Sequence, residues 1–130
     1  MPVAKTEDRI QQEAVIWFRG TFPHLRNMLY SIPNGGYRNA REAKKMKDTG
    51  LTPGVADLHL LYKGKLYLPE CKTPVGRQSK SQVAWQKQVT EHGFDYFLFR
   101  SWQEFRDIVL ERIIDKDEPR NEKFNIEKLF

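Results

Sequence analysis

The sequence predicts an α/β fold in which α-helices flank a mixed central β-sheet of about four strands. Three observations indicate it. Apolar residues near the start recur at helical spacing, two strand-like runs in the middle are separated by a short glycine turn, and a strand–helix–strand unit includes the second of them. At 130 residues, 39% hydrophobic and 30% charged, the chain has enough apolar material for one packed core and too much for disorder.

The first half of the chain predicts three elements. Apolar positions at helical spacing predict a helix over residues 7–18, and a short apolar run that ends at a Pro-Asn-Gly-Gly turn predicts a strand over 28–32. Asn39 is a candidate N-cap for a very basic helix over 40–48. Gly50 follows at a position that tolerates left-handed backbone geometry, so the helix should end there.

The second half predicts a hairpin and a crossover. Strand-like runs over 55–62 and 66–72 are joined by a Lys-Gly-Lys turn and should pair antiparallel. Ser79 and Gln82 have the spacing of a capping box and open a helix that reaches Gly93. The next strand, over residues 96–100, should therefore lie parallel to the second hairpin strand through a right-handed connection.

The end of the chain predicts one more helix and a tail. Ser101 and Glu104 form a second candidate capping box, and the helix should run to about Asp115. We therefore expect a single domain over residues 1–115 and a charged, loosely docked C-terminal tail over 116–130. Apolar residues in this tail can pack on the body or on a second subunit.

The charge balance favours a polyanionic partner. The chain has 22 Lys and Arg against 17 Asp and Glu, a formal net charge of +5. A single cysteine excludes an intramolecular disulfide, and three histidines put the usual zinc frameworks out of reach. No apolar run approaches the roughly 20 residues of a membrane span, so we expect no membrane partner and a cytosolic protein.

Two carboxylates should converge at one end of the predicted hairpin. Glu70 and Lys72 alternate onto the same strand face, and Asp57 lies near the start of the antiparallel neighbour. Such a pair of acids repels unless a cation lies between them, which favours hard, oxygen-loving Mg²⁺ or Mn²⁺. The alternative is a turn or cap role for Asp57 and a solvated ion pair for the other two.

The first helix offers two acids to this site. Glu7 lies within about 30° of the mean direction of the apolar residues, whereas Glu13 is about 90° away, at about 100° per residue. Glu7 is therefore expected to face inward, where a buried acid needs a compensating partner. A helix-dipole role for Glu7 remains the alternative, and which of the two acids serves the site stays open.

Five short motifs occur in a characteristic order. They are an E-x-x-I-Q pattern over residues 7–11, IPNGG at 32–36, GLTPGVADL at 50–58, ECK at 70–72 and SKSQ at 79–82. Over about residues 7–110 the chain resembles the virus-type replication-repair nuclease family, VRR-NUC, within the PD-(D/E)xK nuclease superfamily. The resemblance implies a restriction-endonuclease-like core.

Three residues depart from the family pattern. Ala56 replaces the proline that gives the superfamily its name, and Cys71 takes a position that is normally apolar. Pro69 is unexpected in a central strand because proline cannot donate to a ladder. It predicts a bulge or an unpaired amide beside Glu70.

The resemblance also implies site roles. Asp57 and Glu70 would hold Mg²⁺ or Mn²⁺, with the backbone carbonyl of Cys71 as a further ligand and Glu7 completing or orienting the shell. The remaining catalytic roles fall to Lys72, which would position water or stabilise phosphate charge, and to Gln82, which would steady the site. DNA phosphates would be bound by basic residues on and around the 40–48 helix and before the next one: Arg38, Arg41, Lys44, Lys45, Lys47, Arg77 and Lys80.

The activity implied is that of a divalent-metal-dependent, structure-selective DNA endonuclease of the stand-alone phage or prophage type. Its expected substrate is branched DNA such as a four-way Holliday junction, cut by a homodimer in the cytosol of a bacterial or phage-infected cell. Two alternatives remain open. One is a non-catalytic basic DNA-binding module on a nuclease scaffold, and the other is a restriction-type nuclease acting on linear duplex.

Overall fold

The computed structural model of the chain describes residues 4–33 and 39–129. One four-stranded sheet has the order β1-β2-β3-β4, with β3 and β4 parallel and the other neighbours antiparallel. This is the predicted mixed α/β fold. Within the described residues no helix is long and apolar enough to cross a membrane. The α-helices and strands are α1 (Glu7–Thr21), β1 (Leu29–Ser31), α2 (Ala40–Asp48), β2 (Leu58–Tyr62), β3 (Lys65–Cys71), α3 (Lys80–Glu91), β4 (Asp95–Phe99) and α4 (Trp102–Ile108).

The β2–β3 hairpin turns at two residues with positive φ. Tyr62 pairs with Lys65, and between them Lys63 has a φ of 45° and Gly64 a φ of 81°. Positive φ at both central positions is the geometry whose twist matches antiparallel strands. The turn therefore fixes the register that places the start of β2 near the end of β3.

The crossover from β3 to β4 has the predicted start. The Ser79 hydroxyl accepts from the Gln82 backbone N–H at 3.2 Å, and the Gln82 side chain accepts from the Ser79 N–H at 2.8 Å. Both halves of the capping box are present, so α3 begins at Lys80. The parallel register then places Glu70 beside Leu98.

The core lies on the face of the sheet covered by α1 and α4. Phe18, Phe99 and Phe105 are fully buried, and the ring centroids of Phe99 and Phe105 are 5.0 Å apart. The opposite face carries α3, none of whose residues is buried. The second face is therefore more open than the first, and Glu70 points to it.

Several predicted boundaries shift. Each of the four strands differs by one to three residues from its prediction: 29–31 for 28–32, 58–62 for 55–62, 65–71 for 66–72 and 95–99 for 96–100. The helix predicted over 7–18 continues to residue 21. Among the strand ends the largest shift is at the start of β2, where Gly54 has a φ of 84° and the Asp57 carboxylate accepts from the Cys71 N–H. Extended pairing therefore begins only at Leu58.

The last predicted helix is shorter and differently capped. Ser101 accepts from the Glu104 N–H as expected, but the Glu104 carboxylate accepts from the N–H of Arg100, one residue before the cap. The second capping box is therefore only half formed. After Ile108 the α-helix continues as a π-helical turn over Val109–Ile113 instead of reaching residue 115 as α-helix.

The C-terminal segment packs along α1. The Asn121 N–H donates to the Thr21 carbonyl at 2.8 Å, and Ile126 is 2% exposed. The ring of Phe124 lies so close to Gly20 that a Cβ there would meet it at 2.3 Å. Tight contacts hold this segment on the body, so the expectation of a loosely docked tail is wrong.

Candidate active site

The candidate site lies where β2 and β3 separate. Their last paired residues towards the site are Leu60 and Tyr67. Beyond them the Cys71 N–H donates to Asp57 Oδ2 at 3.0 Å, so a carboxylate replaces a strand carbonyl. Pro69, which has no N–H to offer, lies in the same separated stretch of β3 and is paired only with β4.

Glu70 is the most buried acid in this part of the fold. Its exposure is 0%, and it accepts from Gln82 Nε2 at 3.2 Å and from the Tyr96 hydroxyl at 3.4 Å. Burial, a hydrogen bond with the Asp57 side chain and the charge of Asp57 raise the pKa of Glu70 to about 9, while Lys72 opposes this rise. The charged form of Glu70 is therefore costly as the site stands.

The donor set fits a hard divalent cation. The charge of Asp57 disfavours ionised Glu70, and Glu70 is fully buried, so a cation between the two carboxylates would offset both costs. Among residues 4–33 and 39–129, no three His, Cys, Asp or Glu side chains are grouped so as to hold a metal ion. A metal here would therefore need backbone oxygen or water besides Asp57 and Glu70.

Lys72 follows β3 and is nearly enclosed. Its backbone N–H donates to the Phe99 carbonyl at 3.0 Å, which ties its position to β4. Its side chain is 10% exposed, and its Nζ lies 3.5 Å from Glu7 Oε1. An ammonium held this far from bulk water interacts strongly with an anion, because screening is weak.

The two acids of α1 do not lie as predicted. Glu13 is 2% exposed, whereas the side chain of Glu7 is 45% exposed. The expectation that Glu7 is the inward-facing acid is therefore wrong. Glu13 extends the buried face of α1 beyond the apolar residues. Its charge is neutralised by Lys5 Nζ at 2.8 Å and by Arg9 Nε at 3.4 Å. Glu7 is nevertheless the acid that contacts Lys72.

The predicted phosphate-binding side chains are exposed. Helix α2 begins after Asn39, whose side chain accepts from the Glu42 N–H as predicted, and none of its residues is buried. Lys44 pairs with Asp48 at 2.6 Å on the solvent side. Arg38 lies outside the described residues. The others, all exposed, are Arg41, Lys44, Lys45 and Lys47 on α2 and Arg77 and Lys80 near the start of α3.

Tyr96 is a site contact that the sequence analysis missed. The register of β4 places Tyr96 beside Leu68, two residues before the partner of Glu70, so its side chain shares a sheet face with Glu70. A hydroxyl-bearing residue in an otherwise apolar strand interior was the available signal. It could be used only with the register known.

A solved structure shares this fold. It is named "VRR_NUC domain protein", and it matches with a TM-score of 0.71 over 92% of this chain and 99% of that chain, at 17% sequence identity. No family model matches the sequence, and no curated protein matches it. The likeness confirms the α/β architecture with its four-stranded mixed sheet.

Proposed function

We propose that this chain is a divalent-metal-dependent nuclease that hydrolyses phosphodiester bonds in DNA. The observation that carries the proposal is the buried carboxylate of Glu70, which faces Asp57 and lies within electrostatic reach of Lys72. Two acids and a nearly enclosed ammonium at the end of a strand are costly to maintain without a ligand. The resemblance of the sequence motifs and the likeness in fold support the same class.

Asp57, Glu70 and the backbone carbonyl of Cys71 are the proposed ligands of Mg²⁺ or Mn²⁺. When bound, such an ion supplies a Lewis acid and an activated water. The chain itself orients the ligands: the Cys71 N–H holds one oxygen of Asp57, and the Gln82 amide holds one oxygen of Glu70. Each proposed side-chain ligand thus has a donor that restricts its rotation.

Lys72 is the proposed phosphate contact. Its ammonium, held between the end of β3 and Glu7, would position the attacking water or stabilise the charge that develops on the phosphate. Glu7 acts on Lys72 and not as a buried ligand, because its side chain is half exposed and paired with that ammonium. Its proposed role is to hold the Lys72 side chain near the strand end.

The proposed substrate is branched DNA, such as a four-way junction, cut by a homodimer. Helix α2 supports DNA binding because its cations are exposed and none of its side chains is committed to the core. Binding through phosphates would favour DNA shape over base sequence. Arg77 and Lys80 extend the proposed surface towards the start of α3.

The test is cleavage of a labelled panel consisting of a four-way junction, a flap, a linear duplex and a single strand. Each is incubated with Mg²⁺, Mn²⁺ or EDTA and with wild type, Asp57→Asn or Glu70→Gln. We expect metal-dependent cleavage that falls at least about 100-fold in both variants, while DNA binding in EDTA is retained. Glu13→Gln is the matched control, because Glu13 is equally buried but pairs with Lys5 and Arg9.

The panel also separates the alternatives. Symmetric nicking of the junction supports a homodimeric resolvase-type nuclease, and cutting of linear duplex with a sequence preference supports a restriction-type enzyme. DNA binding without cleavage under every condition would favour a non-catalytic binding module. Cleavage that persists in Glu70→Gln would reject the proposed site.

A further inference from the structure

Behind Glu70 lies a chain of hydrogen bonds that joins β4 to α3. The Tyr96 hydroxyl donates to Glu70 Oε2 at 3.4 Å. Gln78 Nε2 donates to the Tyr96 oxygen at 3.1 Å and to Gln86 Oε1 at 2.9 Å. Three polar side chains outside the proposed metal-ligand set, those of Gln86, Gln78 and Tyr96, therefore form a chain of hydrogen bonds whose last donor contacts Glu70.

The direction of this chain is fixed by its donors. A phenol has one hydrogen, and because the Tyr96 oxygen already accepts from the Gln78 amide, that hydrogen is left for Glu70. The Gln78 amide is in turn oriented by Gln86, which accepts from the same nitrogen. Tyr96 therefore meets Glu70 as a donor.

Two elements hold the two oxygens of Glu70. Gln82 from α3 donates to Oε1, and Tyr96 from β4 donates to Oε2. The Tyr96 ring is packed edge-on against Trp85, with ring centroids 6.2 Å apart, so the hydroxyl is carried by a ring that is itself packed. Donors on both oxygens restrict the rotation of the carboxylate.

We propose that Tyr96, held by Gln78 and Gln86, is a positioning residue that orients the Glu70 carboxylate for a divalent cation. This inference rests on the proposed function of the Asp57–Glu70 pair. Donors behind a ligating carboxylate restrict its rotation, and their loss lowers metal affinity or activity by about 10- to 100-fold. The Tyr96 hydroxyl acts on the metal only through Glu70.

The test is direct Mn²⁺ binding to the DNA-free protein, followed by electron paramagnetic resonance. Tyr96→Phe removes the hydroxyl and keeps the ring that contacts Trp85. We expect its Kd for Mn²⁺ to rise about 10-fold or more, and the Mn²⁺ concentration for half-maximal cleavage to rise in parallel. DNA binding in EDTA should not change. Tyr30→Phe is the matched control, because Tyr30 is 37% exposed and its hydroxyl contacts His59.

A double-substitution cycle tests the route. Gln78→Leu alone should weaken Mn²⁺ binding in the same direction, and adding it to Tyr96→Phe should weaken binding no further, because both act through one hydroxyl. Gln78→Leu also keeps the test open if Tyr96→Phe does not fold, since it leaves the tyrosine ring in place. Additive effects would overturn the proposed route.

The outcomes separate this inference from the proposed function. If wild type cleaves DNA, and Tyr96→Phe and Gln78→Leu bind Mn²⁺ with unchanged affinity, the positioning role is overturned and the proposed nuclease function stands. Weakened Mn²⁺ binding in the variants, with no DNA cut by wild type, keeps the positioning role and rejects the nuclease. A wild type that binds no Mn²⁺ overturns both.

Discussion

Replacing Glu70 by glutamine should stabilise the metal-free protein at alkaline pH while abolishing cleavage. In the folded chain the pKa of Glu70 is raised to about 9 from the ordinary value of 4.5, mainly by burial. Between these two values the folded state retains a proton that the unfolded state releases. The free energy of unfolding of wild type therefore falls as pH rises through this window.

The size of the effect follows from the raised pKa. Each pH unit within the window costs about 1.4 kcal/mol, so wild type should lose about 2 kcal/mol between pH 7.0 and pH 8.5 through this group alone. Glu70→Gln has no proton to lose and should lack this contribution. The free energy of unfolding of the variant, relative to that of wild type, should therefore rise by about 2 kcal/mol between pH 7.0 and pH 8.5.

The assay is urea unfolding of both proteins at the two pH values, in EDTA. Cys71 and Tyr96 also have raised pKa values and His59 a lowered one, but all three are present in both proteins and largely cancel in the difference. Equal pH dependence in wild type and Glu70→Gln would refute the reasoning. So would a variant that loses stability relative to wild type as pH rises.

Three further predictions concern the DNA surface, the C-terminal segment and the approach of α3. Alanine at the three lysines of α2 should weaken duplex binding and reduce the slope of log affinity against log salt by about 2.7, as measured by a salt titration; an unchanged slope would show that α2 does not contact phosphate. Ile126→Ala should cost about 2–4 kcal/mol of unfolding free energy, because Ile126 is 2% exposed; a loss under about 0.5 kcal/mol would mean that the C-terminal segment does not share the core. Gly54→Ala should slow cleavage and lower stability, since its φ is 84° and a Cβ would lie 2.3 Å from a backbone oxygen of α3; wild-type behaviour in both assays would contradict this close approach.

Elements with a local chemical signal were predicted well. Asn39 and Ser79 cap their helices as expected, and the glycine turn sets the hairpin, because capping and positive φ depend on residues within one turn of the chain. The start of β2 was missed because the Asp57 side chain accepts from the backbone N–H of Cys71, which is 14 residues away in the sequence. The burial of Glu13 was missed because Lys5 and Arg9 compensate its charge, and apolar periodicity does not register ion pairs.

The approach of Asp57 to the end of β3 follows from hairpin geometry, but the contact between Tyr96 and Glu70 does not. Tyr96 meets Glu70 only because β4 pairs parallel with β3 in one particular register. A shift of one residue would turn the tyrosine to the opposite face. The sequence therefore predicts which residues meet when a tight turn joins their strands. When a crossover joins the strands, the residues that meet can be named only once the strand register is known.

The same geometry decides which substitution tests Asp57 cleanly. Its carboxylate carries a charge and also replaces a strand carbonyl as the acceptor for the Cys71 N–H. Alanine would remove both and leave a buried N–H unpaired, at a cost of about 1–3 kcal/mol. Lost cleavage in that variant would then mix chemistry with local unfolding. Asparagine keeps an acceptor oxygen and removes only the charge, so Asp57→Asn should fold with near wild-type stability and still fail to cleave.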